Sequence, residues 1–342
     1  MQRGWAHKTR CRDTVTKEPL HPREHQITDA ERTIMARTSA WTAAYLEEHG
    51  VKAALEKAVG GAVAAGGPRP LAHISAALAP PPNPALPSEG RTKFFLGANW
   101  KCKLGKAAAV KLCGELNAIA SDFPSDVELV VFVPTLLIDL CSRLLDPPFT
   151  VGAQNVWDNG PLEEHTGVMT AEALAEFGAG WVLLGHSDRR NGQGETSELI
   201  AEKAAGSIKA GLKVNLTIGE TRAQREAGEH LTTLEGQLAP VVAALEEADW
   251  GAVVLAYEPV WAIGDGATPC TPEEAQVVHA HVRSYLATNV SAEAAGRVRI
   301  AYTGSVSTGN AASFRAVDDV DGFVCGRASL VADDFLKVAC AK

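Results

Sequence analysis

From residue 93 onward the chain repeats one pattern eight times, a short apolar run of strand type followed by a segment of helical pattern. A strand that is followed by a helix pairs with the next strand through a crossover, so the repeat specifies a parallel sheet covered by helices. The runs centre on Phe95–Ala98, Leu129–Val133, Thr150–Ala153, Trp181–Leu184, Lys213–Ile218, Val253–Tyr257, Arg299–Tyr302 and Gly322–Val324, with helices that include Lys106–Ala118, Thr170–Phe177, Leu231–Leu245 and Pro272–Leu286. An open doubly wound sheet also alternates strands and helices. Eight units in about 250 residues match a closed barrel better. The expected fold class is therefore α/β, a (β/α)₈ barrel preceded by a small α-helical module.

That module is set off by Ala79–Glu89, APPPNPALPSE, whose prolines remove backbone donors and favour a stiff, extended connector. The expected organisation is a disordered lead-in over 1–34, helices over 35–78, a Pro-rich linker over 79–91 and the barrel over 92–342. Within 38–59, Trp41, Tyr45, Leu46, Val51, Leu55 and Val59 are spaced for one helical face. A second helix after Pro70 would turn Leu71, Ile74, Ala77 and Leu78 inward. Two such helices bury too little surface to fold alone. The order Y-L-E-E-H, apolar helix, P-R-P-L-A-H-I resembles dimerisation/docking modules of the regulatory-subunit and DPY-30 type. That resemblance implies a four-helix dimer that receives an amphipathic partner helix.

Charge narrows the partners. A net charge of −9 repels nucleic acid and anionic membranes unless a basic patch is segregated, and no such patch is evident in the sequence. Seven scattered cysteines with no C-x-x-C pair fit reduced thiols better than a disulfide framework or a zinc site. No run of about 18 apolar residues is present, and the first residues lack a secretory apolar stretch. Asp13, Glu18, Glu24, Asp29 and Glu31 are many acids for an organellar transit peptide. A cytoplasmic protein is expected, with a plastid location left open.

In a parallel barrel the chemistry lies beyond the C-terminal ends of the strands. The first strand runs into Asn99-Trp100-Lys101, the fourth into Gly185-His186-Ser187-Asp188-Arg189-Arg190 and the sixth into Glu258-Pro259-Val260-Trp261. Each alone is a weak signal, since a lone Lys is usually a surface ammonium and a lone His is usually structural. Together they offer a cation, an imidazole and a carboxylate to one pocket.

The segments NWK at 99–101, AQN at 153–155, GHSDRR at 185–190, AYEPVWAIG at 256–264 and GFVCGRASL at 322–330 resemble the triosephosphate isomerase family, whose fold is the TIM barrel, over residues 93–342. The resemblance implies cofactor-free and metal-free interconversion of dihydroxyacetone phosphate and glyceraldehyde 3-phosphate, a step of glycolysis and gluconeogenesis. It implies Glu258 as the base that moves the proton, strengthened by burial when the site closes, and His186 as a neutral electrophile. Lys101 and Asn99 would stabilise the enediolate charge, with Ser187 and Asp188 in support. Gly264, Ser305, Gly326 and Arg327 match the phosphate-binding positions. The lid would be formed by Pro259, Val260, Trp261, Ala262, Ile263 and Gly264, and a homodimer is implied as well.

The chain departs from the family's pattern at several of these points. Asp188 stands where the pattern has Glu, and Thr303 and Arg327 stand where it has glycines, so a shorter reach and restricted φ values are expected. Val168, Cys102-Lys103 and a longer loop 156–165 with Glu163 and Glu164 alter the dimer loops, while Thr166 is expected to reach Asn99 of the partner subunit. These departures keep an alternative open, a catalytically weakened barrel that acts as a docking or structural protein through its N-terminal helices.

Overall fold

The computed structural model describes residues 51–65, 91, 93–157, 166–264 and 267–342. The chain divides after Ile74 into two units. Of the first, a helix over Val51–Ala65 is described. Leu55 and Val59, on the helical face read from the spacing, are exposed at 37% and 44%. A 3.6-residue period marks an apolar face without saying what covers it. The lead-in over 1–34, the start of the first helix, the helix after Pro70 and the linker to residue 90 lie outside the described residues.

The second unit is a closed barrel in which β1 to β8 pair in sequence order and β1 closes on β8. The strands are β1 (Phe94–Asn99), β2 (Val127–Val133), β3 (Phe149–Ala153), β4 (Trp181–Leu184), β5 (Lys213–Ile218), β6 (Val253–Tyr257), β7 (Arg299–Thr303) and β8 (Gly322–Cys325). All eight ladders are parallel. The strands are mostly apolar because both faces are covered, although β5 buries Asn215 and Thr217. Phe95, Val130, Phe132, Trp181, Leu183, Val254, Ala256, Ala301 and Val324 fill the barrel, while the alternate residues pack outward against the helices.

Local signals fix the helices. Thr271 caps the helix Pro272–Asn289 in a reciprocal box with Glu274, and Pro272 occupies the first turn, where a missing N–H costs nothing. Thr196 caps Ser197–Lys209 and Thr221 forms a second such box with Gln224.

Side chains alternate along a strand, so inward positions recur every second residue. In β6 the inward series Val254, Ala256 continues to residue 258, and in β1 the series from Phe95 continues through 97 to Asn99. The pleat thus delivers Glu258 and Asn99 to the mouth of the barrel. Thr303 belongs to the same logic. It ends β7 as a buried residue whose hydroxyl donates to the Val324 carbonyl at 3.1 Å, so it is part of the barrel wall and not of a strained turn.

Candidate active site

Past the strand ends, a cavity of about 660 Å³ opens at the C-terminal mouth. Asn99, Lys101, His186 and Glu258 line one part of it, and Gly264, Ser305, Gly326 and Arg327 line another. The barrel closure therefore brings together groups from the first, fourth and sixth units that are far apart in sequence. Ser187, Asp188 and the lid residues Pro259 to Ala262 do not line the cavity themselves; they hold the groups that do.

Lys101 has φ +46, a left-handed conformation that costs free energy for a side-chain-bearing residue. Its neighbours hold it there. The Lys101 amide donates to Asn99 Oδ1 at 3.0 Å, and Gln154 Nε2 donates to the Lys101 carbonyl at 3.0 Å and to the Phe132 carbonyl at 3.1 Å. The ammonium Nζ reaches Asp188 Oδ2 at 3.0 Å. Partial burial works against the Asp188 charge, but the bond and charge of Lys101 hold its carboxyl below the ordinary range. The expected loss of reach at Asp188 is absent: one methylene fewer still closes the contact.

His186 follows Gly185, whose φ of +72 turns the chain at the end of β4. A Cβ at Gly185 would stand 2.5 Å from the Thr217 carbonyl, so only glycine fits. The turn makes His186 the N-cap of the helix Ser187–Gln193, with Nδ1 accepting the Asp188 amide at 3.0 Å. Asp188 Oδ2 also lies 3.5 Å from Nδ1. The shorter amide contact decides the tautomer, because an N–H cannot donate to another N–H, so the ring is neutral with its proton on Nε2. Nε2 lies 3.2 Å from Glu258 Oε1.

Glu258 is 3% exposed. Its Oε2 accepts the Ser187 amide at 2.8 Å and its Oε1 accepts the Ser187 hydroxyl at 2.9 Å. A carboxylate with these donors needs no cation to sit in a buried place. Its backbone is fixed as firmly: the Glu258 amide donates to Ile218 at 2.8 Å, and a Cβ at Gly219 would fall 1.9 Å from the Glu258 carbonyl. Gly219 is itself pinned by Gln237, which accepts its N–H at 2.9 Å and donates to its carbonyl at 2.8 Å.

The stem of the lid is anchored below. Trp261 Nε1 donates to Glu220 Oε1 at 2.6 Å, and the Tyr257 hydroxyl donates to the same oxygen at 3.0 Å. Burial pushes the Glu220 carboxyl up, against the bonds from Trp261 and Tyr257 and the charge of Arg225. Arg225 stacks over Trp261 at 4.8 Å, and Arg222 Nη2 donates to the Trp261 carbonyl at 3.0 Å. Gly264, at φ +107, ends the described part of this segment. Gly219 and Glu220 were not singled out from the sequence, and Gln154 entered only within the AQN segment at 153–155, without a role. The signal was present, since all three stand just past the ends of β3 and β5, where barrel chemistry gathers.

Arg327 begins a short 3₁₀ helix, Arg327–Leu330, with Gly326 as its N-cap. Lys101 is the one non-glycine residue with positive φ among the described residues, so Arg327 carries no left-handed strain. The expected restriction of φ is thus not found at either substituted glycine position. Thr166, the expected reach across a dimer, is exposed, and residues 158–165 of its loop lie outside the described residues. Among the described residues no group of three or more His, Cys, Asp or Glu is placed to hold a metal ion, and no helix is long and apolar enough to cross a membrane.

Residues 94–342 match the family model described as triosephosphate isomerase. The chain is 45% identical over 249 residues to a protein of Secale cereale named chloroplastic triosephosphate isomerase, covering 73% of this chain and 82% of that one. It is 40% identical over 257 residues to a protein of the same name from Arabidopsis thaliana, covering 75% and 80%. With another so named from Fragaria ananassa, identity is 41% over 251 residues, covering 73% and 77%.

Proposed function

Because the chain belongs to the triosephosphate isomerase family, we propose that it interconverts dihydroxyacetone phosphate and glyceraldehyde 3-phosphate with Glu258, His186, Lys101 and Asn99 as the acting groups. The observation that carries this reading is the meeting of a desolvated carboxylate, a neutral imidazole N–H and an ammonium around one cavity.

The reaction moves one proton between adjacent carbons. Glu258 takes it from the carbon beside the carbonyl and returns it to the other carbon, so no redox partner is required. As the C–H bond breaks, the carbonyl oxygen gains charge, and Nε2–H of His186 and Nζ of Lys101 are the donors available to meet it. A neutral imidazole suits this task, because its N–H supports the enediolate without first handing over a proton. Asp188 and Ser187 are positioning residues. Asp188 holds Lys101 and, through its amide, the His186 tautomer, while Ser187 holds the base.

The phosphate would rest against Gly264, Ser305, Gly326 and Arg327, at the part of the cavity away from the base. Pro259 to Gly264 would close over it, and Ile263, 39% exposed beside the cavity, offers apolar surface for that closure to bury. Closure excludes water and strengthens each charge interaction inside. In a homodimer, exposed Thr166 would contact Asn99 of the partner subunit. The relatives are named chloroplastic, which favours a plastid over the cytoplasmic location expected from composition. The alternative of a weakened barrel acting as a docking protein has no observation in its favour. The matched family model begins at residue 94 and lends the docking-like helices no support.

A coupled assay tests the reading. Purified protein given dihydroxyacetone phosphate in deuterium oxide should form glyceraldehyde 3-phosphate with solvent deuterium in the product. No turnover, or turnover by a direct hydride shift that leaves the product free of deuterium whatever the conditions, would overturn it.

A further inference from the structure

Away from the cavity, two thiols meet. Cys113 lies in the helix Lys106–Ala118 that follows β1, and Cys141 in the helix Ile138–Leu144 that follows β2. Their sulfurs stand 3.9 Å apart, both residues are fully buried, and 28 positions separate them in the chain. A buried cysteine is most often a small apolar filler. Cys325 has that character, since burial alone pushes its thiol up to about 12. The pair behaves otherwise, because each sulfur is the polar neighbour of the other. The bond to Cys141 holds the Cys113 thiol below its ordinary 9.0 against the effect of burial, while Cys113 pushes the Cys141 thiol up. One thiol is thereby set to ionise first, with a second in contact with it.

The helices are held in this register from one turn away. Asn117, on the same face as Cys113, donates from Nδ2 to the Leu144 carbonyl at 2.7 Å and accepts the Asp146 amide at Oδ1 at 3.0 Å. That clamp keeps the sulfurs together, so joining them asks for an approach of about 2 Å and no rearrangement of the fold.

We propose that Cys113 and Cys141 form an oxidation site for hydrogen peroxide that closes into a disulfide and staples the first βα unit to the second. The Cys113 sulfur attacks one peroxide oxygen, the O–O bond breaks, and the departing hydroxide leaves as water with the thiol proton, so that Cys113 becomes the sulfenic acid. The Cys141 sulfur then attacks the Cys113 sulfur. The S–S bond forms, the S–O bond breaks, and the hydroxyl leaves as a second water with the Cys141 proton. Two thiols lose two electrons and one peroxide gains them. Peroxide enters by local opening of the seven-residue helix Ile138–Leu144, which spans two turns and follows Leu136, itself 95% exposed. Neither thiol lines the cavity, so the staple does not depend on what the cavity binds.

The test treats the full chain with enough hydrogen peroxide to oxidise exposed Cys102, then maps its peptides without reduction. The peptides that carry Cys113 and Cys141 should be found joined, and dithiothreitol should part them. Closing a loop of this length should raise the thermal midpoint of the oxidised parent by about 5–10 °C. Cys141→Val keeps the site apolar and lacks the second sulfur, and it should show neither the link nor the rise. Free thiols at both positions, a sulfinic acid at Cys113 with no link, or a linked parent whose midpoint has not risen would overturn the proposal. The parent's own peptide map and midpoint decide the matter even where Cys141→Val fails to fold.

Discussion

Nε2 of His186 lies 3.2 Å from Oε1 of Glu258, which sets the proposed electrophile directly beside the proposed base. Substrate must come between them. The N–H then meets a carbonyl oxygen as the carboxylate takes up a proton. His186→Gln keeps a side-chain N–H but not the rigid ring that the Asp188 amide orients. It should cost about 100-fold in kcat, the usual scale for one donor to developing charge, with KM little changed. A kcat within threefold of the parent would remove His186 from the reaction.

Gly219 explains how the base is placed. Any β-carbon there would press on the Glu258 carbonyl at 1.9 Å, and this atom is backbone that cannot swing aside. Gly219→Ala should therefore displace β6 at its catalytic end. The expected cost is about 1–3 kcal/mol of stability, as for other overpacked sites, together with at least a tenfold fall in kcat. Calorimetry and kinetics on one preparation check both. A variant that kept the parent's stability and rate would show that the close approach does not fix the carboxylate.

Glu195 sets an acid limit on stability. It is buried with Lys203, whose Nζ lies 2.7 Å from Oε1, and Arg189 bonds the same oxygen. Burial opposes its charge, but the bonds and charges of Arg189 and Lys203 hold the carboxyl below its ordinary value of 4.5. A depressed carboxyl stabilises the fold fully above the unfolded value, and that contribution is lost as pH falls from 4.5 through the folded value. Glu195→Gln leaves an uncompensated buried ammonium and should cost about 3–5 kcal/mol near pH 7. The deficit should shrink as pH falls below 4.5, where the unfolded carboxyl takes up its proton while the folded one still resists it. Denaturant titrations at pH 7 and pH 4 compare the two proteins. An equal deficit at both would show that the charge is not what matters.

Much of this was legible in the residues. The strands Trp181–Leu184, Lys213–Ile218 and Val253–Tyr257 lie where the apolar runs placed them, because a strand buried on both faces is mostly apolar inside, even where β5 buries Asn215 and Thr217. Glu258 and Asn99 were found by the same rule. What the sequence hid depends on neighbours distant along the chain. Gly219 is one glycine among many until Glu258 lies against it, and Glu220 reads as a surface carboxylate until Trp261 and Tyr257 cover it. Short helices such as Ile138–Leu144 and Ala311–Arg315 span too few turns to show a period. Leu55 and Val59 have the spacing of a buried face and are exposed, because spacing cannot name a covering partner.

The central claim is that the Glu258 carboxylate itself moves the proton. Measuring kcat and KM for Glu258→Asp and Glu258→Gln beside the parent tests it most directly, since the first keeps a base at the wrong reach and the second removes it. Removal should lower kcat about 1000-fold with KM within a few-fold, and the shorter acid should fall between, at unchanged thermal midpoint. Equal turnover by the glutamine variant and the parent would contradict the assignment outright.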